Sequence, residues 1–226
     1  MNDSLYAQLL DLACGGLLLT AAVALWRHRL PVVVRVFVLQ GVALAGLGAV
    51  LAIHQVSVQL WAVAAGLLVL RACLLPYLLR RAHRPPAGQP ADDPRPLVGG
   101  AVSLLAAAAL TLLAFAVCRP LVELVPGGVT GEASAAIPVG VAVVLIGFLV
   151  LVTRRGALAQ LAGLVLMDNG ITAVALLTGA GLGLLVQVSV ALDVLLVLVI
   201  RQLSAVRTAE TIGDTDLDEL RELRDS

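Results

Sequence analysis

The chain has 226 residues, 60% hydrophobic and 13% charged, with a mean hydropathy of +1.02, a composition that excludes an ordinary soluble domain and reads as a polytopic membrane protein. Fifteen cations, all arginine, balance fifteen acids to a formal charge of zero, so no basic field is present to attract nucleic acid.

Taken in order, the apolar runs fall at 5–26, 31–53, 56–79, 97–118, 134–153, 157–179 and 182–203. Each is near the roughly 20 residues that a helix needs to cross a bilayer. The start, Met1-Asn-Asp-Ser-Leu5, lacks the basic region of a cleaved signal and is read as the beginning of an uncleaved first span. Short joints follow at Arg27-His-Arg-Leu30, with Pro31 opening the second helix, and at His54-Gln55. The segment 80–96 holds half of the ten prolines and predicts an extended linker. The fold class is therefore an all-α membrane bundle of about seven spans. It divides into an N-terminal three-span unit (1–82), a proline-rich linker (83–96), a fourth span with its outer loop (97–133), a second three-span unit (134–203) and an acidic tail (204–226).

Arginine placement sets the predicted orientation. Arg27, Arg29, Arg35, Arg80, Arg81, Arg84, Arg95, Arg154, Arg155, Arg201, Arg207, Arg221 and Arg224 all flank alternating joints, hence one side, while Arg119 falls on the other and Arg71 inside a span. The positive-inside rule then puts the N-terminus outside and the tail in the cytoplasm. The tail is acidic, and Leu217, Leu220 and Leu223 recur at helical spacing after Asp214 and Thr215, so a short amphipathic helix is predicted there.

Cys14, Cys73 and Cys118 have no CxxC spacing, and His28, His54 and His83 do not supply paired mid-membrane axial ligands. Neither an iron–sulfur, zinc nor haem site is predicted, and the chain is read as carrying no cofactor. No nucleophile–base pair or HExxH occurs, so no active site contained in the chain is expected. Gly179-Ala-Gly-Leu-Gly183 follows no strand and reads as a tight turn, and Gly41, Gly46 and Gly48 as points of close helix approach.

The candidate chemistry lies in two aspartates. Asp168 is roughly 16 Å into its run counting from Ala157 at about 1.5 Å per residue, near the middle of a hydrocarbon slab about 30 Å thick. Asp193 is central in the next run, which is oppositely directed, and the amides Asn169 and Gln187 accompany the two acids. Such groups usually face a bundle interior or a water path, and a proton relay is predicted from the pair, against the plainer reading of helix–helix hydrogen bonding. Arg71 lies about nine residues inside the end marked by Arg80, deep for a snorkelling side chain, and is read as an ion-pair or pathway residue, with Pro76 between them as a kink. Asp11 is shallower, and Gln40, Gln59 and Gln160 give the least.

Gly163-Leu-Val-Leu-Met-Asp-Asn-Gly-Ile171, then Val190-Ala-Leu-Asp-Val194 and the tail around Asp214-Thr-Asp-Leu-Asp-Glu-Leu-Arg221, resemble the hydrogenase-4 component E family of membrane proteins. More distantly they are similar to the K subunit of respiratory complex I and the C subunit of multi-subunit cation/proton antiporters. The likeness to the hydrogenase-4 family covers most of the chain in length and span layout, whereas the K-like part is confined to about 134–203. In the K pattern, G-L-E-L-M-x-N, the carboxylate would stand at Val165, while the second family carboxylate matches Asp193 directly. The resemblance implies a non-catalytic, cofactor-free membrane-arm subunit in a bacterial or archaeal inner membrane, with Asp168, Asp193, Asn169, Gln187 and Arg71 serving proton translocation. Its implied partners are antiporter-like and H-subunit-like membrane subunits and peripheral hydrogenase or related redox subunits on the cytoplasmic side. The alternatives are a small antiporter subunit with no redox partner and a membrane scaffold with no ion path.

Overall fold

The structure, a computed structural model, describes residues 3–26, 30–74, 77, 100–124, 132–154 and 157–178. The seventh predicted span, the proline-rich linker and the acidic tail lie outside the described residues, as do Asp193 and Gln187. Every element described is helical: α1 (Asp3–Trp26), α2 (Leu30–Gln55), α3 (Val58–Leu67) with a π-helical continuation (Leu68–Leu74), α4 (Gly100–Leu124), α5 (Glu132–Thr153) and α6 (Ala157–Thr178). In hydrocarbon each backbone N–H and C=O must be satisfied within its own segment, which is why apolar runs of this length become helices. Five of the helices, all but α3, are long and apolar enough to cross a membrane. Threonine hydroxyls inside them bond the carbonyl four residues back, as Thr20 does to Gly16 and Thr111 to Ala107, so that no hydroxyl is left bare to lipid there.

The first three helices form an antiparallel set. α2 ends on Val56, whose φ of 50° reverses the chain, and Ser57 N–H donates to the Ala52 carbonyl across the turn. Ser57 also caps α3, its hydroxyl accepting from Leu60 N–H at 3.4 Å. This turn folds α3 back along α2, and glycines set the separation. A Cβ on Gly48 would stand 3.2 Å from Ala64 Cβ, and one on Gly41 would stand 2.8 Å from Ala72 N and 2.9 Å from the Arg71 carbonyl carbon. Gly46, by contrast, has open space around it, so of the three glycines read as contact points two act as such.

The tightest seam joins α5 and α6. Gly140 and Gly147 on one helix, and Gly163 and Gly170 on the other, are each seven residues apart, and the helices run antiparallel with each glycine set against the opposite backbone. A Cβ would come within 2.6 Å of Val144 N at Gly170, 2.6 Å of Met167 N at Gly147 and 2.7 Å of Leu151 N at Gly163. Small residues allow such an approach, and dispersion and backbone contact then hold apolar helices together where lipid offers no hydrophobic drive. α1 packs on both α2 and α5, and α4 leans on α5 and, more lightly, on α1. Phe37, Leu44 and Leu51 of α2, Leu10 and Leu17 of α1, Ile146 of α5 and Leu166 and Leu176 of α6 are all fully buried in one continuous core.

Two contacts fix which helix ends lie together. Arg154, just past α5, donates from Nη2 to the Ala24 and Leu25 carbonyls at 2.8 and 2.9 Å, and so serves the unpaired C-terminal carbonyls of α1. Burial pulls its pKa below the ordinary arginine value, and it remains a cation at neutral pH. Gly100, at the start of α4, lies against the Trp26 ring. The C-termini of α1 and α5 and the N-terminus of α4, all adjoining arginine-bearing segments, therefore share one end of the bundle.

Candidate functional site

The site is built on one turn of α6 and the π segment that continues α3. Asp168 and Thr172 are four residues apart and so share a face of α6, with Asn169 beside them. Gly163 and Gly170 bracket Asp168 and Asn169 and draw that turn against α5. Across from it, the backbone changes from α to π over Leu68–Leu74, N-terminal to Pro76, and Arg71 is the middle residue of that segment. The extra residue in a π turn re-aims the side chains it carries, and such turns often occur at functional sites. Predicted from sequence as one continuous span at 56–79, the third helix is thus a short α-helix followed by this re-aimed turn.

Arg71 is 2% exposed and Asp168 3% exposed, so the two charges are withdrawn from solvent and lipid alike. The guanidinium forks over α6. Its Nη2 donates to Asp168 Oδ2, closing a salt bridge, and at 2.9 Å to Thr172 Oγ1, while Nη1 donates to Asn169 Oδ1. The Thr172 hydroxyl in turn donates to the Asp168 carbonyl at 2.9 Å, which leaves its lone pairs turned to the cation. The planar fork of arginine matches such a set of oxygens in a way the point charge of lysine does not.

Of the residues singled out from sequence, the structure brings Arg71, Asp168 and Asn169 into contact. Thr172 is the member of the site that the sequence reading missed, although its place one turn beyond Asp168 was the available signal. Gln59 and Gln160 are exposed. Gln40 is fully buried, with neither its Oε1 nor its Nε2 bonded among the described residues, and its neighbour Gly41 abuts the Arg71 backbone. Asp11 lies apart from the site, exposed on α1. Among the described residues no three His, Cys, Asp or Glu side chains are grouped to hold a metal ion.

A bundle of long apolar helices around a buried guanidinium–carboxylate pair defines a multi-pass helical membrane protein with a charged centre inside it. No family model and no solved structure matches the chain. It is 41% identical over 225 residues, a share that rounds to 100% of each chain, to the uncharacterized protein Rv0085 of Mycobacterium tuberculosis, and it belongs to the same family.

Proposed function

We propose that the chain is a non-catalytic membrane-arm subunit of a hydrogenase-4 or formate-hydrogenlyase-type complex in a bacterial or archaeal inner membrane. In this reading it spans the bilayer seven times with its tail in the cytoplasm, binds no cofactor, and contributes mid-membrane groups to proton translocation driven by redox chemistry in neighbouring subunits. The observation that supports it is the buried Arg71–Asp168 pair, with Asn169 and Thr172 at the same guanidinium. Packing apolar helices does not require a salt bridge at mid-span, and ionisable groups held there usually lie on ion or proton paths.

The arrangement suits a two-state element. When Asp168 takes up a proton its hold on the guanidinium weakens, and Asn169 Oδ1 and Thr172 Oγ1 remain as acceptors, so the cation is not stranded in the interior. Loss of the proton restores the pair. Asp193 and Gln187, in the apolar run after α6, are the proposed next station of the relay.

The test is to purify the full-length protein from native membranes with whatever co-migrates, and to follow redox-driven acidification. Antiporter-like and hydrogenase-type subunits are expected to co-purify. Asp193→Asn and Asp168→Asn complexes are expected to retain redox turnover while losing much of the proton movement. Purification without any redox subunit, or unchanged coupling in both variants, removes this reading. A second reading, a scaffold whose ion pair only fastens α3 to α6, is favoured by the way the Arg71 bonds to Asp168, Asn169 and Thr172 all cross between those two helices.

A further inference from the structure

We propose that the side-chain amide of Gln40 is a second seat for the Arg71 guanidinium, which leaves α6 for α2 when Asp168 takes up a proton. Gln40 stands alone in its stretch of sequence: between Arg35 and His54 every other residue of α2 is apolar or glycine. It is 0% exposed, and neither its Oε1 nor its Nε2 is bonded among the described residues. A primary amide carries an acceptor and two donors, and leaving them bare in an apolar interior opposes folding. A group held at that cost in one state is explained if it gains its partner in another.

The backbone sets Gln40 where that partner is. α2 and α6 both start at the arginine-bearing end of the bundle. Gln40 is ten residues past Leu30 and Asp168 eleven past Ala157, so both are roughly 15–16 Å from that end at about 1.5 Å per residue. On the next residue of α2, a Cβ at Gly41 would stand 3.1 Å from the Arg71 carbonyl oxygen, which fixes the π turn at the same level. Direction follows from the helical repeat. Gly41 and Gly48 mark the face of α2 toward α3, and Ala43, whose Cβ is 3.7 Å from a Cβ built at Gly16, marks the face toward α1. Gln40 falls between them, on the stripe of Phe37, Leu44, Leu47 and Leu51, each at most 2% exposed, that looks into the interior, and α2 also packs on α6.

Among the described residues Arg71 and Asp168 are the two charged side chains that are buried, whereas Asp11 and Arg35 are exposed and Arg154 serves the end of α1. Asn169 and Thr172 hold the guanidinium on α6, beside the acid. The Gln40 Oε1 offers it an acceptor on a different helix, so the cation can stand clear of the carboxyl group while that group carries its proton. The seat rests on the relay reading for the event that moves the guanidinium, and on the packing of α2 for the place to which it moves.

The test is a set of thermal unfolding midpoints for the full-length protein in detergent, with Asp168→Asn standing for the protonated acid. No redox partner enters the measurement, so the seat can fail while the redox-complex reading stands, and the reverse. Gln40→Met is expected to raise the midpoint in the parent, where the amide is unbonded, and to lower it in Asp168→Asn, where the guanidinium has moved to it. Gln40→Glu added to Asp168→Asn is expected to recover at least half of the midpoint lost, because a carboxylate at the seat restores the ion pair. With Arg71→Met and Asp168→Leu together the reversal is expected to vanish, Gln40→Met raising the midpoint and Gln40→Glu lowering it. If Asp168→Asn does not accumulate, recovery of folded protein on adding Gln40→Glu is the same supporting result, and continued failure counts against the seat. A shift of one sign from Gln40→Met in both backgrounds, a further loss from Gln40→Glu in Asp168→Asn, or a gain from Gln40→Glu that survives removal of Arg71 would overturn the proposal.

Discussion

Arg71 and Gln40 illustrate how the same physical cost changes sign with the presence of a partner. Both are buried polar side chains, Arg71 bonded to three residues of α6 and Gln40 bonded to nothing among the described residues. Removing one member of a buried pair leaves the other charge without compensation, so Asp168→Asn or Arg71→Met should each cost about 3–5 kcal/mol. The measurement is the unfolding midpoint of the purified protein in detergent. Gln40→Met keeps the volume and removes two unbonded polar atoms, and should raise the same midpoint, by up to about 1–3 kcal/mol in stability. At this scale the sequence is informative about which residues matter, because an arginine and an aspartate inside apolar runs stand out against their surroundings. It does not tell which partner each has. Sequence alone reads Asp168 together with Asp193, which lies outside the described residues, and reads Arg71 as an ion-pair or pathway residue with no partner named. The partner that the structure gives Arg71 is Asp168, 97 residues away in the chain. Facing between helices so far apart follows from packing angles that periodicity does not encode.

At the scale of elements, close approach is what the sequence shows least. The seven-residue spacing of Gly140 and Gly147, and of Gly163 and Gly170, is visible in the chain, yet it becomes a seam only once α5 and α6 are known to run antiparallel in the register that sets Gly147 against Gly163. Gly170→Ala should therefore be destabilising out of proportion to its single methyl, since the new Cβ would stand 2.6 Å from a backbone nitrogen that cannot turn aside. Because Asp168 and Asn169 sit on the same turn, the variant should also loosen their bonds to Arg71, readable as faster hydrogen exchange in α6 and a lower midpoint. The opposite outcome is expected at the α2–α3 turn. Val56 is 88% exposed and holds a φ of 50°, a left-handed conformation that costs a side-chain-bearing residue about 1–2 kcal/mol. Val56→Gly loses almost no packing and relieves that strain, so it should raise the midpoint despite the greater backbone freedom of glycine in the unfolded chain. The π turn at Arg71 is legible only as a kink near Pro76, because proline announces that a helix is disturbed but not that the disturbance will be an inserted residue one turn earlier.

For the whole molecule, the alternation of arginines along the chain and the structure agree on which helix ends lie together, through Arg154 on the end of α1 and Gly100 against Trp26. The bundle thus has two distinguishable ends and a charged centre between them, with α3 joined to α6 by the ion pair, α5 to α6 by the glycine seam and α1 to α5 at the arginine-rich end. A fastening and a relay make different demands on that centre. A buried ion pair replaced as a whole by apolar side chains of similar volume is often neutral or stabilising, by about 1–4 kcal/mol, because the desolvation of both charges is relieved along with their attraction. Arg71→Met combined with Asp168→Leu should therefore recover the stability that each single change loses, and the double variant should assemble. If the pair serves only to hold α3 on α6, that protein should perform as the parent does. If Asp168 passes protons, it should be as inactive in redox-driven acidification as Asp168→Asn while matching the parent in midpoint and in the subunits that co-purify with it. The combination of restored assembly with absent coupling is one that no defect of folding can imitate, which is why the double substitution, more than either single one, decides between the two roles.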